Sequence, residues 1–267
     1  MRSWINGIET DQISISNRSL QFGDGFFTTF ICRNGRIEFL KNHFHRLLLA
    51  EKKLFFNKIN FSALHKEVKF ASKCVSHGII KIIIIRGNSI RGYKAKQCIE
   101  PIRIIILTKN NLNFKKIKKN GAHLYYSPIK ISRNLLLSGI KHNNKIEQVL
   151  ASIHLENMHK DEAIILDNKG FIVECCTCNI FWRIKNFVFT PNLKYCGVPG
   201  IIRKKIINLL PKLGYKIIVS FFKRQHLFSA EEVFITNSIF SIIPVKLIEN
   251  KHFLDRTTFK KIRYFFW

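Results

Sequence analysis

The apolar pattern of this chain predicts a mixed α/β fold in two domains, and three observations carry that expectation. Short apolar runs bounded by turn residues alternate with stretches of helical period. Two isoleucine-rich runs, 79–85 and 102–107, have the length of buried strands; they are too short to cross a bilayer and are interrupted by Lys81 and Arg103. A polar, basic stretch of weak periodicity at 109–120 separates the halves, which places a smaller domain over 1–112 and a larger one over 120–267. At 267 residues and 46% hydrophobic, the chain has material for one large core or two moderate ones.

The elements follow in order. Residues 26–33 read as a strand that turns at Asn34-Gly35 and returns over 37–40. A helix over 40–55 aligns Phe44, Leu47, Leu48 and Leu54, a second covers 61–76, and the two isoleucine strands come next. Beyond the linker lie a strand at 123–127, a helix at 145–157 and a strand at 163–166. The Asp167-Asn168-Lys169-Gly170 turn joins that strand to 171–174 as a hairpin. Strands at 180–183 and 187–190 precede a helix over 201–213, strands at 216–219 and 233–236, and a terminal packing helix near 256–266. No internal repeat is present.

The net charge of +28 raises nucleic acid as a partner. Lys and Arg are nevertheless scattered among abundant Ile, Asn and Phe, so compositional drift is the simpler reading and no specific nucleic acid is expected. Seven cysteines, with Cys175, Cys176 and Cys178 lacking a second pair at zinc spacing, predict reduced thiols and no metal. The first residues lack a signal-peptide apolar stretch, and a cytoplasmic protein without a membrane span is expected.

Two stretches carry chemistry. Lys141 follows the apolar approach Leu135-Leu136-Leu137-Ser138-Gly139-Ile140; a lysine with such walls can hold an aldehyde covalently and later act as a base, although a loop lysine is the plainer alternative. Glu174 ends an apolar strand and is followed by small residues, as a partner of a pyridine nitrogen would be; a solvated strand-end acid is its alternative. Gly200-Ile201-Ile202 opens an apolar helix whose free amides suit a phosphate. Thr236, Asn237 and Ser238 at a strand end, and Arg46 beside Leu47, add donors of a kind that is common on any surface. An amine, an acid and a phosphate pocket together are what pyridoxal phosphate requires.

The run from Glu174 to Arg203 resembles the signature of the class IV pyridoxal-phosphate aminotransferases: Glu174, small residues, Asn179, an apolar residue, Phe181, then Thr190 and the Gly200-Ile201-Ile202-Arg203 ending. Further pieces match across residues 4 to about 245, namely Gln21-Phe22-Gly23-Asp24-Gly25-Phe26-Phe27-Thr28-Thr29, Arg86-Gly87, Arg91-Gly92-Tyr93, Gly139-Ile140-Lys141-His142, Asn144, Glu147-Gln148-Val149-Leu150 and Asp161-Glu162-Ala163. The resemblance implies a two-domain, fold-type-IV architecture like that of D-amino-acid aminotransferases, with pyridoxal 5'-phosphate as cofactor and a homodimer as assembly. It implies Lys141 as Schiff-base lysine and catalytic base, Glu174 at the pyridine nitrogen, and Arg46, Ile201, Ile202, Asn237 and Ser238 at the phosphate. Thr28, Thr29, Arg91 and Tyr93 would lie on the substrate side. The Arg91-Gly92-Tyr93 and Lys141-His142 neighbourhoods lean towards the family's lyase branch, which releases pyruvate and leaves an aromatic amine. A D-amino-acid or branched-chain aminotransferase is the sister reading, and a polyanion-binding protein on a decayed scaffold is the reading from another class. Asn143, Lys145 and Cys178 depart from the lyase pattern, and the stretch 249–267 has no counterpart in it.

Overall fold

The computed structural model describes residues 1–89, 92–96, 98, 100–109 and 113–266, and Arg91 therefore lies outside the described residues. The chain forms two compact units, one of Met1–Leu112 with Ile140–Asn144, the other of Asn113–Gly139 with Lys145–Trp267.

In the first unit the elements are β1 (Arg2–Ile5), β2 (Ile8–Glu9), α1 (Arg18–Phe22), β3 (Gly25–Arg33), β4 (Arg36–Ile37), α2 (Leu40–Lys53), α3 (Phe61–Lys73), β5 (His77–Ile85) and β6 (Ile102–Lys109). The strands form one sheet in the order β2-β1-β6-β5-β3-β4. Alternation splits this sheet into two faces. Phe26, Phe30, Ile80, Ile82, Ile84, Ile105 and Leu107 point to a core shared with Leu47 and Ala50 of α2 and Leu64, Val68 and Ala71 of α3. The opposite face carries Phe27, Thr29, Ile79, Lys81, Ile83, Ile104 and Ile106, which are only partly buried. The hairpin of β3 and β4 turns at Asn34-Gly35, both at positive φ, as the sequence predicts. Asn60 starts α3 by accepting the Ala63 amide at 2.9 Å.

The second unit contains α4 (Lys115–Asn120), β7 (Ala122–Tyr126), α5 (Ile146–Met158), β8 (Glu162–Leu166), β9 (Ile172–Cys175), β10 (Asn179–Ile184), β11 (Phe187–Pro191), α6 (Ile201–Leu209), β12 (Lys216–Ser220), α7 (Arg224–Phe228), β13 (Glu232–Asn237), β14 (Ser241–Ile248), β15 (Lys251–His252) and α8 (Thr257–Arg263). Its strands run β12-β11-β10-β13-β14-β7-β8-β9, with β15 paired to β14. Ile180, Trp182, Phe189, Val233, Ile235, Ile243 and Val245 lie in one large buried cluster. Part of the expected linker is a helix: Phe114 and Ile117, at the start of and within α4, pack against this cluster. The sequence also hides β14, because Pro244 argues against an interior strand. In the structure Pro244 pairs with Phe234 and lies beside a register shift between Val245 and Leu247 that absorbs the irregularity. Among the described residues, no helix is long and apolar enough to cross a membrane.

The terminal segment is tied down by a buried acid. Glu232 is 0% exposed, accepts the Thr258 and Phe259 amides at 2.9 and 2.7 Å, and receives Arg183 Nε at 3.2 Å. A carboxylate on two first-turn amides satisfies donors that α8 cannot pair internally and matches its dipole. Arg183 also bonds Glu231 and, at 2.5 Å, Asp255. Replacing Glu232 by Ala is expected to destabilise the protein by about 3 kcal/mol or more, since it strands buried donors. Urea unfolding measures this, and a loss below about 1 kcal/mol would contradict the assigned role.

Candidate active site

The second unit builds a polar cup where three strand ends meet a helix start. On β10 and β13 the large cluster takes Ile180, Trp182, Val233 and Ile235, so the alternate residues Asn179, Phe181, Phe234 and Thr236 share the other face. Phe181 and Phe234 stack there with ring centroids 5.1 Å apart. Asn179 and Thr236 are register partners at the end of that pair. Asn179 donates to the Val198 carbonyl at 2.9 Å and accepts the Gly200 amide at 2.9 Å, which fixes the start of α6 beside the strand ends. A Cβ on Gly200 would stand 2.2 Å from Asn179 Oδ1, so only glycine permits this approach. The Ile201 and Ile202 amides occupy the first turn, where a helix offers no internal acceptor. Arg203 is buried below them, donating to Pro191 O at 2.7 Å and to Thr190 Oγ1 at 3.3 Å.

Glu174 closes this arrangement from β9. It is buried and its Oε2 accepts the Val198 amide at 2.9 Å and Asn179 Nδ2 at 3.4 Å. The chain passes close over it at Gly197, where φ is +89° and a Cβ would meet Val173 at 2.7 Å. The acid acts on its surroundings: burial lowers the Lys145 ammonium, and Glu174 with Glu147 partly restores it. Burial likewise works against the Arg203 charge and Glu174 supports it. The strand-end acid is therefore not solvated. The turn that follows is anchored by Glu162, which accepts Thr177 Oγ1 at 2.5 Å, the Thr177 amide at 3.1 Å and Cys178 Sγ at 3.2 Å. Cys178, buried as expected for a small residue, also accepts from Asn237 Nδ2 at 3.5 Å.

Asn237 itself is a turn former, its Oδ1 holding the Ile239 and Phe240 amides at 2.9 and 3.0 Å. Ser238 lies next to it, half-buried. The hydroxyl of Thr236 is buried without a hydrogen-bond partner in the protein. A buried orphan donor is rare. Here it stands on the face that bears the α6 start, so the donor set fits a phosphate: two unpaired helix amides, a hydroxyl and a positive helix end.

In the first unit, residues 140–144 run antiparallel beside β3. Phe27 N donates to Lys141 O at 2.8 Å, Asn143 N donates to Gly25 O at 2.9 Å, and Phe26 bridges His142. Asn143 donates to Ser19 Oγ at 2.8 Å, so the polar departure at this position serves the local fold. Lys141 Nζ lies 4.7 Å from the Phe27 ring, on the half-open face with Thr29. Thr28 points the other way. It is 0% exposed with Oγ1 2.6 Å from His43 Nδ1, and burial with the nearby Arg46 charge pushes the His43 pKa down to about 3. Arg46 is half-buried on α2, one turn from His43.

The loop motifs hold structure as well. Asp24 accepts Arg18 Nε and Arg86 Nε, each at 2.8 Å. Arg86 also takes the Leu54 and Phe55 carbonyls at the end of α2, and Arg18 the carbonyls of Gly92, Tyr93 and Lys94. Tyr93 is 84% exposed with its ring 5.1 Å from Phe22. Sequence reasoning offered Thr236 as a strand-end donor but missed Asn179, Arg203 and Lys145 as site neighbours. Only Asn179 and Arg203 carried a signal, as fixed positions of the signature.

This geometry defines a class. A model of class IV aminotransferases matches residues 25–248, and the chain belongs to that family. Among its relatives is the aminodeoxychorismate lyase of Vibrio harveyi, 32% identical over 255 residues and covering 93% of each chain. The solved 4-amino-4-deoxychorismate lyase of Pseudomonas aeruginosa superposes with a TM-score of 0.92 at 27% identity, covering 98% of both chains. A hypothetical aminotransferase of Mycobacterium tuberculosis, solved in its PLP-bound form, shares the fold at a TM-score of 0.83 and 14% identity, covering 98% of this chain and 95% of its own.

Proposed function

We propose that this chain is a pyridoxal-phosphate-dependent lyase that converts 4-amino-4-deoxychorismate to 4-aminobenzoate and pyruvate, a step of folate synthesis. The likeness to the Vibrio harveyi lyase across 93% of both chains carries this reading. The orphan Thr236 hydroxyl beside the α6 start supports the cofactor independently.

When bound, pyridoxal phosphate supplies an electron sink for the carbon that loses its proton. The amides of Ile201 and Ile202, with Asn237, Ser238 and the Thr236 hydroxyl, hold the phosphate, and Arg46 adds a guanidinium. Glu174 would keep the pyridine nitrogen protonated. Lys141 would hold the coenzyme covalently, and its amine, when free, would take the proton from the ring carbon of the substrate that bears the amine. The enolpyruvyl group leaves with the electron pair of its carbon–oxygen bond and becomes pyruvate on protonation. Aromatisation of the ring makes the step effectively irreversible. Thr29, Arg91 and Tyr93 complete the substrate side in this reading, whereas Thr28, turned into the core against His43, supports the sheet behind them.

The test is direct. Purified protein with pyridoxal phosphate is given aminodeoxychorismate, and fluorescent 4-aminobenzoate and pyruvate are followed. Their formation in equal amounts supports the lyase. Keto acid from D-alanine or branched-chain amino acids, with no aminobenzoate, would make the protein a transaminase.

We further infer a homodimer in the cytoplasm. Helix α5 turns Ile146, Val149, Leu150 and Ile153 outward at 67%, 49%, 46% and 52% exposure, an apolar stripe at helical spacing that a second copy would cover. The cysteines form no disulfide among the described residues, as suits a reducing compartment. Replacing Leu150 and Ile153 by Glu is expected to weaken self-association at least about a hundredfold, giving a monomer by light scattering. An unchanged dimer would remove α5 from the interface.

A further inference from the structure

We propose that the cleft between α4 and α8 binds a nucleotide, its phosphate held by cations of the two helices and its base laid against Tyr264; the site stands apart from the lyase reading and does not depend on it. A cavity of about 430 Å³ opens there, lined by Lys118, Lys119, Phe259, Arg263 and Tyr264. That volume is within the range of small-molecule sites. The lining combines an apolar floor, one open ring and basic side chains from two separate helices. Phe259 is buried, whereas Tyr264 is 72% exposed. Among the described residues, no carboxylate lines the cavity.

The helices themselves do not account for this charge. Lysines in a last turn ordinarily answer the unpaired carbonyls at the negative end of a helix. In α4 that part is taken by Arg256, whose guanidinium bonds the Lys119 and Asn120 carbonyls at 2.5 and 2.7 Å. Both walls are fixed from behind. Phe114, at the start of α4, packs on Phe240 with ring centroids 5.5 Å apart, and α8 buries Thr258, Phe259 and Ile262 while Glu232 holds its first amides. Lys261 turns away to the Tyr215 ring, 5.2 Å from its centroid. Arg263 is left beside Tyr264, its guanidinium 5.0 Å from the ring centroid and donating to the phenol oxygen at 3.2 Å. That hydrogen bond, then the charges of Arg263 and Lys260, lower the Tyr264 pKa, so the field over the ring is positive. A guanidinium takes phosphate through paired hydrogen bonds, and lysine adds a point charge. A ring at the edge of a basic groove is a surface on which a nucleobase stacks. A bare anion would make no use of Tyr264, and an uncharged aromatic ligand would make no use of the cations; the two features together point to a nucleotide. Its source is a free mononucleotide or one residue of a single-stranded RNA, and no base-specific contact is implied.

Isothermal titration of protein saturated with pyridoxal phosphate, using adenosine 5'-phosphate, adenosine and ribose 5-phosphate, reads the two halves of the site separately. The nucleotide is expected to bind at least about tenfold tighter than either fragment. Arg263→Met should weaken the nucleotide about tenfold and leave adenosine within about twofold, whereas Tyr264→Ala should weaken both by a similar factor and leave ribose phosphate nearly unchanged. Comparing ligands on one variant cancels any general loss of folded protein. Lys119→Glu, at an exposed position, should also weaken the nucleotide and gives a second reading of the charge. A single-stranded oligoadenylate distinguishes the sources. Affinity per nucleotide equal to that of the mononucleotide makes the free compound the ligand; binding at least about tenfold tighter that falls steeply with salt makes it an RNA strand with one base in the cleft. No binding of either at millimolar concentration, or nucleotide affinity unchanged by both Arg263→Met and Tyr264→Ala, overturns the proposal. Aminobenzoate formation should stay within about twofold of wild type in all three variants; a fall in parallel with nucleotide affinity would place the nucleotide in the catalytic site and equally overturn it.

Discussion

Lys141→Ala is expected to lose the visible coenzyme band and at least about four orders of magnitude in kcat, because in the proposed mechanism one side chain supplies both the covalent hold and the base. The substitution should leave folding nearly intact. What residues 140–144 give the first unit is mostly backbone: the Lys141 carbonyl accepts Phe27 N, the Asn143 amide reaches Gly25 O, and Ile140 fills the core. None of these needs the Lys141 amine. Coenzyme should still bind noncovalently through the phosphate donors of α6 and β13. Added ethylamine should restore part of the lost rate, since a small amine can take the base's place. Turnover within about tenfold of wild type would show that another group removes the proton.

Glu174→Gln has the next largest expected effect, roughly a hundred- to thousandfold in kcat, or about 3–4 kcal/mol of transition-state stabilisation. The amide keeps an oxygen for the Val198 amide and a similar volume, so the turn over Gly197 should persist. It cannot keep the pyridine nitrogen charged. The expected signature is a large loss of kcat with coenzyme affinity reduced far less, read by absorbance titration. A threefold loss or smaller would leave Glu174 as a turn anchor and nothing more.

How much of this was legible beforehand depends on the scale of the interaction. Strands such as β5 and β6 are visible because their isoleucine content and length leave no helical alternative. Helix α8 was legible as an apolar terminal stretch, but its anchor was not: Glu232 and Arg183 are 49 residues apart in sequence and meet only through the pairing of β10 with β13. The strand β14 was obscured by Pro244 and rescued by a neighbouring register shift. In α4 the basic residues concealed a helix that is held by Phe114 and Ile117.

The site divides in the same way. Lys141, Glu174 and Gly200 stand out because residue type and local spacing already limit what they can do. The separate parts of Thr28 and Thr29 could not be read, since adjacent residues differ only in the face to which the pleat sends them, and the core packing of α2 chose that face. Likewise Asp24, which the sequence shows only as one member of a matching loop, proves to hold Arg18 and Arg86.

By itself the sequence determined the family, the cofactor chemistry and the periodicities that make strands and helices, all of which are properties of residues near one another along the chain. Only the tertiary structure decided that Asn179 fixes the α6 start, that the Thr236 hydroxyl is left without a partner beside it, and that Lys141 lies by the Phe27 ring on the half-open face of its sheet. Those facts depend on strand register and on which face of a sheet is buried, and no local preference encodes either.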